Sequence, residues 1–100
     1  MYDINDEIIS SISYTKINRT IEFNQQKSVK TEHRIMLYES KILTSSHQFK
    51  IENVFDISYR VLSEDSGFLY LHTNQGVFAF VVTSDPSSFM EKVKDCIKRG

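Results

Sequence analysis

The side chains with the most chemistry in reach are three histidines, His33, His47 and His72, and one cysteine, Cys96. A zinc site draws such residues from pairs spaced about two to five apart. Here no histidine stands near another histidine or near Cys96, so all four read as structural residues and neither a metal nor another cofactor is expected. Nucleophilic catalysis has its own marks, such as a serine within Gly-x-Ser-x-Gly or a glycine-rich loop that cradles phosphate. Neither occurs, and no pair of carboxylates sits on a recognisable scaffold. Cys96 falls among apolar positions and reads as a small, inert hydrophobe. The sequence offers no catalytic residue, and the chain is not expected to be an enzyme.

Charge is the next resource. Between residues 16 and 34 lie five cations, Lys16, Arg19, Lys27, Lys30 and Arg34, against Glu22 and Glu32. The chain as a whole carries a formal charge of −1 and a pI of about 6.3. A dedicated nucleic-acid binder is normally more basic, so no nucleic acid is expected as a partner. One cysteine precludes an intrachain disulfide. The opening MYDINDEIIS has three acids and no Lys or Arg, the wrong charge for a secretory leader. No apolar run approaches the ~20 residues that cross a bilayer. A reducing cytoplasm is the expected setting. At 100 residues, 40% hydrophobic and 25% charged, residues 1–100 are expected to form one domain.

The elements that must position these residues are short strands followed by one helix. Phe89, Val93 and Ile97 recur at steps of four, with Met90 and Cys96 beside them, and charged residues fill the opposite side. That stripe predicts an amphipathic helix over 86–98. Asp85 suits the N-cap and Pro86 the first helical position, where a missing N–H costs nothing. Upstream, 68–73 and 77–83 are rich in aromatic and β-branched residues, and Asn74-Gln75-Gly76 joins them as a hairpin. NVFDISYRV alternates, with Phe55, Ile57 and Tyr59 expected inward and Asp56, Ser58 and Arg60 outward. HRIMLY, KILT and HQFKI read as three further strands, and INRTIEF as the first, beginning at residue 17. NQQKSVKTE (24–32) is then a loop between the first two strands. Residues 1–16 are ambiguous: Ile4, Ile8 and Ile12 fit a helix, whereas Ile8, Ile12 and Tyr14 fit a strand. They read as an N-terminal extension, a short helix or an added strand on the outside.

Seven short strands, the last two a tight hairpin, followed by one amphipathic helix: over residues 17–98 this pattern resembles the pleckstrin-homology (PH)-like family. FDISYR, LYLHT, GVFAFVV and DPSSFMEKV are similar to the fifth to seventh strands and the helix of small bacterial members. The helix tryptophan usual in eukaryotic PH domains is missing, since the chain contains no Trp. The resemblance implies a mainly β, seven-stranded, two-sheet, partly open barrel capped by one C-terminal helix, with Phe89, Val93 and Ile97 as the plug. It implies a candidate anionic-lipid site at Lys27, Lys30 and Arg34, with Glu32 standing where a further cation is wanted. It also implies a groove beside the fifth strand, where Asp56, Ser58 and Arg60 mark an edge for a peptide or for self-association. The function expected is therefore a bacterial, non-catalytic PH-like domain that contacts a protein partner or itself. Weak binding of anionic lipid headgroups is the alternative.

Overall fold

A computed structural model describes residues 7–99, with the backbone alone at 18–22 and 27. The chain is mainly β. In order it forms β1 (Ile8–Glu22), β2 (Gln25–Tyr38), β3 (Lys41–Leu43), β4 (Gln48–Lys50), a 3-10 turn at Ile51–Asn53, β5 (Val54–Ser63), β6 (Ser66–Thr73), β7 (Gly76–Val82) and α1 (Ser87–Arg99). The strands make one antiparallel order, β4-β3-β2-β1-β7-β6-β5. The two expected sheets are thus continuous, joined where Thr15 of β1 pairs with Val81 of β7. β4 and β5 end the order without meeting, so the sheet does not close into a barrel. This architecture is compatible with a PH-like fold.

The two halves share one core. Ile35, Leu37, Ile42 and Phe49 from the first half cluster with Ile57, Leu69, Leu71 and Val82 from the second. Ring contacts cross the interior: Tyr14 meets Phe80 edge-on with centroids 4.9 Å apart, and Phe49 lies 4.9 Å from Phe78. α1 covers the open side. Phe89, Val93 and Cys96 are its buried residues, and it packs against β5, β1 and the 3-10 turn. Ile97, expected in the plug, is only half-buried, because a helix of 3.6 residues per turn turns the inward stripe from 93 to 96. The helix start is built as its residue types suggest. The Asp85 carboxylate accepts the Ser87 N–H at 3.0 Å and the Ser87 hydroxyl at 2.6 Å, and Met90 N–H bonds to Pro86 O at 2.8 Å.

Three expectations change. Residues 8–16 are strand and not helix, but they are the first half of β1 and not an addition on the outside: Ile12 and Tyr14 enter the core. Residues 1–6, Ile4 among them, lie outside the described residues. Second, the polar stretch 24–32 is strand almost throughout. β1 and β2 run paired as far as Glu22↔Gln25, leaving only Phe23 and Asn24 as the turn. Both have positive φ, 50° and 62°, the pairing of signs that a tight two-residue hairpin requires. Third, Phe55 faces solvent, 62% exposed. A register shift between Val54 and Asp56 inserts an extra residue, so Val54 turns inward in place of Phe55, while Ile57 is buried as expected. No described helix is long and apolar enough to cross a membrane.

Candidate functional site

The outer face of β5, β6 and β7 is set by register. β6 alternates strictly, with Gly67, Leu69, Leu71 and Thr73 buried and Phe68, Tyr70 and His72 half-buried. Asp56, Ser58 and Arg60 stand opposite His72, Tyr70 and Phe68, which in turn stand opposite Val77, Ala79 and Val81 of β7. Directly opposed residues of an antiparallel pair project from the same face, so these nine form one outer surface. The three β5 residues expected outward are therefore together on the outer face, on the strand that ends the sheet order among the described residues.

Within that surface, Ser58 Oγ and His72 Nε2 are 2.8 Å apart, and Asp56 is directly across from His72 in the register. Types and spacing approach those of a nucleophile, a base and an orienting acid. The arrangement stops short of that: the described hydrogen bonds link His72 to Ser58 but not to Asp56. The other imidazoles are likewise held by neighbours. His33 contacts the Thr31 hydroxyl at 2.9 Å and the Tyr14 ring, while His47 packs on Phe49 and Phe78. Among the described residues, no group of three His, Cys, Asp or Glu could hold a metal ion. Burial pushes the Cys96 thiol above its ordinary pKa, which keeps it in the less nucleophilic protonated form. A groove of about 530 Å³ lies at the other margin of the sheet, lined by Ser40, Lys41, Gln48, Lys50, Ile51 and Glu52.

The basic residues are not gathered at a loop. Lys30 and Arg34 lie on β2, paired with Ile17 and Ser13, and are exposed. Strand geometry separates them by about 13 Å with exposed Glu32 midway on the same face. Arg34 Nη1 also donates to Ser11 Oγ at 2.7 Å, which ties its guanidinium to β1. The side chain of Lys27 lies outside the described residues.

Alternation alone could not find the edge's apolar content. Phe55, Val61 (67% exposed) and Leu62 (48% exposed) are all on β5. Phe55 and Leu62 are the extra residues at the two register shifts, Val54/Asp56 and Val61/Ser63, whereas Val61 stays in the regular ladder opposite Gly67 and is exposed at the strand's end. Searched against protein-family models and against curated proteins, the chain matches none.

Proposed function

We propose that this chain is a non-catalytic, PH-like interaction module that binds protein by adding an extended strand along β5. The observation that carries the reading is that β5 ends the strand order with no strand beyond it among the described residues, and displays Phe55, Val61 and Leu62 to solvent. An edge strand presents unpaired N–H and C=O groups, a template for another chain. Strand addition draws affinity from those groups and specificity from alternate side chains. A cytoplasmic, bacterial setting fits the lone thiol and the family resemblance. The alternative, weak attachment to anionic lipid headgroups, keeps Lys30 and Arg34 as surface cations but lacks the loop that was to gather them.

The test is to select peptides from a random library on the purified protein and to follow amide exchange in their presence. Selected peptides should slow exchange in β5, and the Val61→Lys/Leu62→Lys variant should lose them, since lysines on an edge block pairing. Both positions are exposed, so the variant should keep its fold. A monomeric wild type whose selected peptides leave β5 exchanging freely refutes the reading.

A further inference from the structure

β5 has a pattern that matches itself when reversed. Its regular pairing with β6 lies between the two register shifts, from Asp56 to Val61. Within it, Asp56 stands two residues before Ser58 and Arg60 two after, while exposed Phe55 and exposed Val61 stand three before and three after. Asp56, Ser58 and Arg60 share the outer face, and both charged residues are exposed.

Resting on the strand-addition reading, we propose that the added strand is β5 of a second copy, antiparallel, about a two-fold axis through Ser58. Such an axis makes residues equally far before and after Ser58 face each other. Asp56 of each copy then faces Arg60 of the other, forming two opposite-charge cross-strand pairs. The added edge also runs past Val61, an apolar side chain that the monomer leaves in water.

The register is constrained. An axis between two residues would set an outward-facing amide against one that faces its own sheet, so the axis must pass through a residue. Centring on Ile57 sets Asp56 against Ser58, and centring on Tyr59 sets Arg60 against Ser58. Neither opposes the two charges; Ser58 does. A two-fold contact uses the same patch on both subunits, as this pattern requires. The seam joins two seven-stranded sheets into one. Because it is a single pair of edges, it falls at the small end of specific interfaces and should assemble with rising concentration.

Sedimentation across a concentration series tests this with four samples besides wild type: Asp56→Arg, Arg60→Asp, the double swap Asp56→Arg/Arg60→Asp, and an equimolar mixture of the single variants. Each single variant places like charges opposite one another twice, and should weaken the dimer at least about tenfold. The double swap restores both pairs and should return to within about threefold of wild type. In the mixture, two chains that fail alone should form a heterodimer, because one supplies two cations and the other two anions. Far-UV circular dichroism checks that each variant is folded. Single variants that dimerise as wild type does, or a double swap that does not rescue, overturn the Ser58 axis. A monomeric wild type whose β5 is still shielded by selected peptides overturns self-pairing while strand addition stands. A dimer unaffected by Val61→Lys/Leu62→Lys overturns self-pairing at β5, and selected peptides that also leave β5 exchanging freely overturn both.

Discussion

Phe89→Ala probes the contact on which the fold's closure depends. Phe89 is 3% exposed, at the N-terminal end of the stripe that α1 lays on the core. Removing its ring loses transfer free energy and leaves a cavity, together ~3–5 kcal/mol for a buried Phe. The whole domain is worth ~5–15 kcal/mol, so the variant should sit near the limit of folding. With a urea slope of ~2 kcal/mol/M, the unfolding midpoint should fall by roughly 1.5–2.5 M. Ile97→Ala is the internal control. Ile97 is half-buried, so its loss should cost less than half as much. The chain has no tryptophan, so tyrosine fluorescence and far-UV circular dichroism are the readouts. A Phe89→Ala midpoint within 0.5 M of wild type (about 1 kcal/mol at that slope) would refute the packing argument. So would a larger effect from Ile97→Ala.

Two further outcomes follow from the ends of elements. The Ser87 hydroxyl, and then the Ser87 N–H, hold the Asp85 carboxyl below its ordinary value of 3.8. Its folded pKa is thus depressed, so its contribution is present above 3.8 and is lost as pH falls through the folded value. Asp85→Asn should remove that part of the acid sensitivity, read as a shallower decline of urea midpoints below pH 5 (about one unit above the ordinary value), and identical declines would contradict the cap. At the β1–β2 turn, Phe23 is 96% exposed at φ 50°, a backbone state that asparagine tolerates better than phenylalanine. Phe23→Asn should therefore stabilise the chain by up to about 1 kcal/mol, visible as a higher melting temperature, and a lower one would rule out strain at that position.

How far the sequence reveals this fold depends on where each segment meets water. α1 and the β6–β7 hairpin were legible because each has one wet and one dry side, and Pro86 and Gly76 punctuate them. Gly76 indeed takes φ 120°. The β1–β2 arm was not, because Lys30, Glu32 and Arg34 are all exposed, as are Gln25, Gln26, Ser28 and Val29. A paired strand with little apolar burial lacks the alternation by which strands are read. Residues 8–16 were ambiguous because isoleucines four apart satisfy both periods; Tyr14 broke the tie only once its ring lay on Phe80. Phe55 was misplaced for another reason. One extra residue reverses the phase of everything before it, and nothing local in NVFD marks the shift. For the candidate site, the outward set of Asp56, Ser58 and Arg60 was readable from alternation, because it lies beyond that shift. The Ser58–His72 contact was not, since it depends on how two strands are aligned.

The pairing of Thr15 with Val81 joins segments 66 positions apart in the chain (81 − 15). The ladders on either side of it, β1 with β2 and β5 with β6 and β7, connect near neighbours and can zip early. Sealing this seam closes a long loop and so carries a larger loop-closure cost than either neighbouring ladder. Until then both strands offer raw borders to neighbouring molecules, so the interval before sealing is when newly made chains are most exposed to clumping.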